Sequence, residues 1–337
     1  MYVLSFRDMS QPSRGAVTTA TLYGLDPLDQ AYVWNPAQTA RLNLTDVGQF
    51  AQAVRGAHVC FIVHGFNVNR DRGFVGGGAM AQEFRGLGPL SRLPPPNLLN
   101  LLVPGVDFFI PVLWPGDWYL PVNYPFVLPT ARAVGRNLAQ FLTGSSATMR
   151  RVSFFSHSFG ARVVLETLQN AMKPPAGVGR RHDPPVFDTA VLTAAAASDT
   201  VLDSEFYTEG VGALRRIVVV SAPTDEVLTT WFPLGNPVEQ ALWQNDPGPD
   251  VALGRDGPVL TANSPARKKT EWYVVTDAHA DQPIDQLHGD YMPAPWTPNA
   301  PYPNGWSDKR ERIAELTQSV LDGAGAPWPA RRVIPEP

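Results

Sequence analysis

Residues 151–172 join three sequence patterns in one continuous stretch. Residues 151–155 form a short apolar run typical of a strand. Residues 160–172 place apolar side chains on one helical face: Ala161, Val164, Leu165, Leu168 and Met172. Ser158 lies between these two patterns and has a small residue on each side, Ser156 and Gly160. A strand that leads directly into a helix predicts a βαβ unit with parallel strands.

Five further apolar runs have the length of strands. They lie at residues 57–63, 106–113, 188–195, 216–220 and 271–276. Several are apolar throughout rather than alternating, which is typical of strands buried on both faces of a parallel sheet. We therefore expect an α/β fold with a mostly parallel central sheet and helices on both faces.

The segments between these runs divide into helices and irregular loops. Helical spacing occurs at 45–54, 79–85, 130–142 and 308–321, and the runs at 2–6 and 18–23 predict antiparallel edge strands. The chain has 34 prolines in 337 residues, roughly twice ordinary usage. Long Pro-rich loop insertions are therefore expected, at residues 86–105, 114–129, 173–187, 232–268 and 291–306.

Composition excludes several classes of function. The net charge is −4 and only four of the 27 basic residues are Lys, so no basic stripe predicts binding to nucleic acid or to an anionic membrane. No stretch reaches the ~20 apolar residues that a membrane span needs, and no signal peptide is seen, so we expect a cytoplasmic protein. The single cysteine, Cys60, lies in an apolar run, which excludes a disulfide and predicts core packing.

The turn around Ser158 has the pattern of a nucleophile elbow, small-x-Ser-x-Gly, with Ser156 in place of the usual first glycine. Such a turn needs small neighbours because the nucleophile sits on a strained backbone between strand and helix. The alternative is an ordinary helix N-cap. The strand before Ser158 and the amphipathic helix after it favour the nucleophile.

A second motif follows the run at 57–63, which ends in His64-Gly65-Phe66-Asn67. This segment resembles the one that supplies an oxyanion-hole N–H in α/β-hydrolases, where the residue after the nucleophile supplies another. We therefore predict Phe66 and Phe159 as the donors. A plain strand followed by a glycine turn is the alternative.

A serine nucleophile needs a general base and an orienting carboxylate, which follow it in the order acid, then His. Asp225 lies in the turn after the run at 216–220, with Glu226 as its rival. His288 is preferred to His279 as the base because a longer loop lets its imidazole reach back over the sheet edge. His58 and His182 are interpreted as surface residues.

No metal or cofactor is expected. The loop after residue 276 contains possible oxygen and nitrogen ligands, but their spacing matches no ligand motif; they are His279, Asp281, Asp285, His288 and Asp290. The glycines at 76–78 lack the Lys-Ser/Thr of a phosphate-binding loop and are interpreted as a flexible segment.

These motifs, in this order, resemble the α/β-hydrolase superfamily and, within it, the bacterial serine hydrolases of the DUF900 group. The resemblance covers roughly residues 57–291, and its segments are 61–68, 113–116, 156–164, 219–228 and 288–291. The chain departs from the group at Phe159, where Met is usual, and in longer insertions at 86–105 and 232–268.

The resemblance implies a serine hydrolase with the α/β-hydrolase fold, most simply a carboxylesterase using Ser158, His288 and Asp225. An amidase or peptidase on the same residues, and a non-catalytic binding module, stay open. The substrate would be a small-molecule or polymer ester with an apolar or aromatic group, because the loops are rich in aromatic residues. We expect five residues to line its pocket: His64, Asn67, His157, Trp114 and Trp118.

The order of the motifs predicts a single domain over residues 1–337, because they must converge at one sheet edge. Residues 1–56 would supply N-terminal edge strands and a helix, residues 57–291 the catalytic core, and residues 292–337 a C-terminal tail and helix. The oligomeric state stays open.

Overall fold

The structure is a computed structural model that describes residues 2–11, 16–24, 43–71, 73, 77, 106–117, 126–145, 149–173, 183–243, 251–274, 288 and 332–335. In these residues the chain forms nine strands: β1 (Tyr2–Arg7), β2 (Val17–Gly24), β3 (Asn43–Leu44), β4 (His58–Val63), β5 (Phe108–Leu113), β6 (Arg151–His157), β7 (Val186–Thr193), β8 (Arg216–Ser221) and β9 (Thr270–Val274).

The described helices are α1 (Val47–Ala53), α2 (Leu128–Ser145), α3 (Gly160–Met172), α4 (Thr208–Ala213), α5 (Glu226–Thr230), α6 (Phe232–Trp243) and α7 (Leu253–Asp256). Short 3₁₀ turns occur at Val201–Asp203, Glu205–Tyr207 and Arg267–Lys269. Within the described part of the chain, no helix is both long enough and apolar enough to cross a bilayer.

The nine strands form one mixed sheet in the order β3-β2-β1-β5-β4-β6-β7-β8-β9. Each neighbouring pair in the stretch β1-β5-β4-β6-β7-β8-β9 is parallel. At the other end of the sheet, β2 pairs antiparallel with both β1 and β3. Every residue of β4 is buried, so both faces of the sheet are covered at its centre. The expected α/β fold with a mostly parallel central sheet is confirmed.

Large apolar side chains form the core between neighbouring strands. The ring of Phe154 on β6 packs against Phe61 on β4 and Phe187 on β7, with ring centroids 6.0 and 6.1 Å apart. All three rings are inaccessible to solvent or nearly so. Each such side chain stabilises the fold by about 1.5–3 kcal/mol through burial, which explains why the apolar runs become central strands.

The prediction that residues 2–6 form an edge strand is wrong in one respect. They pair antiparallel with β2 as expected, but β1 also pairs in parallel with β5 and lies inside the sheet. Its polar residue Arg7 is buried because its guanidinium contacts the Asp117 carboxylate, at an N–O distance of 3.1 Å. A buried charge needs such a partner, and this one comes from 110 residues away.

The interpretation of His58 as a surface residue is also wrong. Its side chain is fully buried at the start of β4, where Nε2 lies 2.8 Å from the Ser153 hydroxyl. Its backbone N–H donates to the Asp107 carboxylate over 2.8 Å. A polar ring tolerates burial when it has such a partner. His182 lies outside the described residues.

The segment 232–268 was expected to be irregular but contains helices α6 and α7. Pro237 lies inside α6, although proline is disfavoured in helix interiors because it lacks a backbone N–H. The remaining main chain still forms helical bonds, such as the 3.0 Å bond from Gly235 N–H to the Trp231 carbonyl oxygen. The helices predicted at 45–54, 130–142 and 160–172 are confirmed, and those at 79–85 and 308–321 lie outside the described residues.

Candidate active site

Ser158 occupies a sharp turn between β6 and α3. Its φ of 54° lies in the left-handed region, which is strained for a residue other than glycine. Main-chain hydrogen bonds hold the turn: Ser158 N–H donates to the Thr193 carbonyl over 3.0 Å, and the Ser158 carbonyl accepts from Ala161 and Ala196 over 3.1 and 3.2 Å. The strained conformation is therefore fixed by the strand and helix around it.

The residues beside this turn are small because the backbones approach closely. A Cβ atom added at Gly160 would lie 2.6 Å from the carbonyl oxygens of both Val63 and His64. Ser156 takes the position where the pattern usually has glycine, and its buried hydroxyl donates to the Val191 carbonyl over 3.1 Å. The site thus accepts a serine side chain at that position because it has a hydrogen-bond partner.

His288 connects Ser158 to Asp225. Its Nε2 lies 2.7 Å from Ser158 Oγ, and its Nδ1 lies 2.7 Å from Asp225 Oδ2. A carboxylate only accepts hydrogen bonds, so Nδ1 carries the proton and Nε2 accepts from the serine hydroxyl. The structure therefore brings together the three residues that the sequence predicted as nucleophile, base and acid.

Asp225 is fully buried and also caps helix α5. Its Oδ1 accepts the Leu228 N–H over 3.0 Å while Oδ2 faces His288. Its rival Glu226 is exposed on the first turn of α5. The alternative base, His279, lies outside the described residues.

This chain of hydrogen bonds can activate a hydroxyl group. The imidazole can take the Ser158 proton, and the Asp225 carboxylate can hold the ring in the correct tautomer and stabilise the imidazolium. The serine lies at the start of α3, where the partial positive charge of the helix favours a developing negative charge. The geometry thus suits nucleophilic attack by Ser158 on an electrophilic carbon.

The turn after β4 contains the predicted oxyanion segment. Asn67 has a φ of 58° and its N–H donates to the Gly116 carbonyl over 2.7 Å, which ties this turn to the segment after β5. Phe66 is half-buried and Asn67 is exposed. The roles predicted for the Phe66 and Phe159 amides, and the pocket role of Asn67, stay predictions.

The side chain of His64 binds main-chain groups of this turn and of the segment after β5. The Trp114 backbone N–H donates to His64 Nε2 over 3.2 Å, so Nδ1 carries the proton and donates to the Gly65 carbonyl over 2.9 Å. Burial lowers the pKa of His64 to about 4, so the ring is neutral. We predicted that His64 lines a pocket, but both of its ring nitrogens bind main-chain groups instead.

Trp114 was also expected to line a pocket, but its side chain is completely buried. Its indole stacks between His64 and Phe159, with ring centroids 5.5 and 6.4 Å away, and its Nε1–H donates to the His64 carbonyl over 2.8 Å. Because the ring has no exposed surface, it packs against neighbouring residues of the site and does not line an open pocket. Trp118 lies outside the described residues.

His157 takes a position that sequence reasoning missed. We expected it to line a pocket, but it is buried and its Nε2–H donates to the main-chain carbonyl of His288 over 2.6 Å. Burial and the neighbouring His288 lower its pKa to about 3. The sequence feature that could have indicated this contact is the position of His157 directly before Ser158.

The cysteine and the possible metal ligands form no second reactive centre among the described residues. Burial raises the pKa of the Cys60 thiol, which suits the predicted core role because a neutral thiol is unreactive. No group of three His, Cys, Asp or Glu side chains in this part of the chain could hold a metal ion. The loop residues considered as metal ligands lie outside it, apart from His288.

The sheet and the site together define an α/β-hydrolase architecture: a serine follows β6, an acid follows β8 and a histidine follows β9. No family model matches the chain, and no curated protein matches it. The resemblance to the DUF900 group therefore stays a prediction.

Among solved structures, the chain is similar to esterase B from Lactobacillus rhamnosis, described with a tributyrin phosphonate inhibitor. The sequences are 13% identical, the match covers 96% of this chain and 88% of the esterase, and the TM-score is 0.34. So low a score adds nothing to what the sheet and the site of this chain show by themselves.

Proposed function

We propose that the protein is a serine hydrolase that cleaves carboxylic esters through an acyl-enzyme on Ser158. One observation carries the proposal: a serine held at positive φ between strand and helix is hydrogen-bonded to a histidine, which is hydrogen-bonded to a buried aspartate. An N-cap serine needs neither the histidine nor the aspartate, so a structural role does not explain this arrangement.

The reaction would proceed in two steps. Ser158 Oγ attacks the ester carbonyl carbon while His288 Nε2 takes its proton, and the resulting oxyanion is stabilised by the Phe66 and Phe159 amides. The bond to the leaving alcohol then breaks, and His288 gives that alcohol its proton. Water attacks the acyl-enzyme with His288 again as base, which releases the carboxylic acid and restores Ser158.

The first experiment is covalent labelling with a fluorophosphonate, which reacts with activated serines. We expect one equivalent of label on the wild-type protein at Ser158 and none on Ser158→Ala. Ser153→Ala provides a matched control, since Ser153 lies on β6, the strand that leads into the Ser158 turn, with its hydroxyl 2.8 Å from His58 Nε2. That variant should label like the wild type.

The second experiment measures turnover on an ester panel that varies chain length and aromatic character, with matched amides. Ser158→Ala should lower kcat/KM by several orders of magnitude while circular dichroism shows an intact fold. A folded Ser158→Ala variant that keeps its activity contradicts the assignment. Amides cleaved as fast as esters favour the amidase, and a folded wild-type protein without label favours a binding module.

A further inference from the structure

The proposed mechanism does not use His157, although this side chain touches the base. Its Nε2–H donates to the main-chain carbonyl oxygen of His288 over 2.6 Å. The two imidazole rings also pack together, with centroids 4.9 Å apart and planes inclined by 51°. His157 is 7% exposed and His288 is half-buried, so a buried ring holds the main chain of a half-buried residue.

This contact complements the two bonds made by the His288 side chain. Ser158 and Asp225 hold the imidazole at Nε2 and Nδ1, whereas His157 holds the backbone of the same residue. His157 and Ser158 are consecutive in the chain. The residue that anchors the base and the residue on which the base acts are therefore joined by one peptide bond at the end of β6.

We propose that His157 is a positioning residue, whose imidazole N–H fixes the His288 main chain and thereby the distance from His288 Nε2 to Ser158 Oγ. This inference rests on the function proposed above, since it assigns His288 as the base. Proton transfer is sensitive to such placement, because a shift of about 1 Å in a reacting group can cost on the order of a hundredfold in rate.

The charge state of His157 suits this role. Because it is buried beside His288, its pKa is lowered and the ring is neutral at physiological pH. A neutral ring can still donate through Nε2–H. A cation at this position would oppose the imidazolium that His288 forms during the reaction, so a neutral donor anchors the base without this electrostatic cost.

Two variants separate the hydrogen bond from the bulk of the ring. His157→Leu removes the donor, and His157→Gln keeps an amide N–H at a similar reach. We expect His157→Leu to lower the fluorophosphonate labelling rate and kcat by about 10- to 100-fold, with KM within about twofold of wild type. His157→Gln should recover most of both rates.

His58→Leu is the matched control. His58 is also a buried histidine, and its Nε2 lies 2.8 Å from the Ser153 hydroxyl, but it begins β4 and so lies at the other end of the strand from the predicted oxyanion segment. Its loss should lower Tm and leave the labelling rate of the folded protein unchanged. A structural role for His157 predicts this same result for His157→Leu and would overturn the proposal.

Three more results would decide the question. A rise in KM with unchanged kcat would make His157 a pocket residue and overturn its positioning role, while the nucleophile assignment stands. A wild-type protein without label would overturn the proposed function and this inference with it. If the variants do not fold, ¹⁵N NMR of the wild-type histidines decides: we expect a neutral His157 protonated at Nε2 at pH 7, and the Nδ1–H tautomer contradicts the proposal.

Discussion

Gly65 and Ser158 are in such close contact that a Cβ atom added at Gly65 would lie 2.8 Å from Ser158 Cβ. Two carbon atoms do not approach this closely, so Gly65→Ala must displace one of the two turns. We expect this variant to fold and to lose at least about tenfold in kcat/KM, because a small displacement of the nucleophile affects rate strongly. Ester hydrolysis and Tm, measured on the same preparation, check this.

Gly212→Ala is the control for that variant. Gly212 lies in helix α4, and a Cβ atom added there would meet nothing within 4 Å. The substitution should raise Tm slightly, because alanine is a better helix former than glycine by up to about 1 kcal/mol. Equal activity in Gly65→Ala and Gly212→Ala would show that the close contact has no part in catalysis.

Asp225→Asn separates the two roles of this side chain. The amide oxygen can still accept the Leu228 N–H and cap α5, but the amide group cannot hold His288 as the carboxylate does. By analogy with other serine hydrolases, we expect kcat to fall about 10³- to 10⁴-fold. Thermal unfolding should show a much smaller change than in Asp225→Ala, which loses both bonds.

Asp46→Asn is the matched capping control, since Asp46 caps α1 by accepting from the Gly48 and Gln49 N–H groups. We expect it to retain full activity. Asp225→Asn with activity close to wild type would mean that Asp225 serves only as a cap.

Buried histidines should make the protein sensitive to acid. Burial lowers the pKa of His58 and His64 to about 4 and that of His157 to about 3, whereas an unfolded histidine has a pKa near 6.5. Between about pH 6.5 and 4 the unfolded chain binds up to three more protons than the folded one. The free energy of unfolding should therefore fall with decreasing pH, by at most about 4 kcal/mol per pH unit.

Urea unfolding at pH 7.5, 6.0 and 5.0 measures this slope. His58→Leu removes one of the three groups, so its slope should be about one third smaller than that of the wild type. A free energy of unfolding that stays constant from pH 7.5 to 5.0 would contradict the assignment of these histidines as neutral in the folded state.

The last parallel pair of strands is joined by an ion pair. Arg216 on β8 donates from Nε and Nη2 to the Glu271 carboxylate on β9, over 2.9 and 2.8 Å. Two bonds in partly buried surroundings give better geometry than most surface pairs. We expect a double-mutant cycle with Arg216→Gln and Glu271→Gln to give a coupling of about 1 kcal/mol, decreasing in 1 M salt.

Lys173 and Glu209 provide the comparison, because their charged atoms lie 3.0 Å apart but their side chains are more exposed, at 69% and 41%. The same cycle on this pair should give no measurable coupling. Equal coupling for the two pairs would mean that partial burial and paired geometry contribute nothing to the link between β8 and β9.

Much of the sheet could be predicted from local sequence. Runs that are apolar throughout have few alternatives to burial in a parallel sheet, and the runs at 57–63 and 216–220 became strands nearly over the expected residues. The position of β1 could not be predicted, because the buried charge on Arg7 depends on Asp117. Helix α6 was missed because the local proline content predicted a loop, whereas the structure has Pro237 inside a helix.

In the candidate site, too, some features could be predicted from local sequence and others depend on tertiary contacts. Motif order in the sequence predicted Ser158 as the nucleophile and placed the acid and the base after two later strands, and the length of the loop favoured His288 over His279. The sequence thus predicted the candidate nucleophile, acid and base, and their catalytic roles stay a proposal. Only the tertiary structure decided that Trp114 and His64 are buried and stack on each other, and that His157 donates a hydrogen bond to the backbone of His288. The physical reason is that burial and hydrogen-bond partners arise between segments as much as 131 residues apart, and a local pattern carries no information about such contacts.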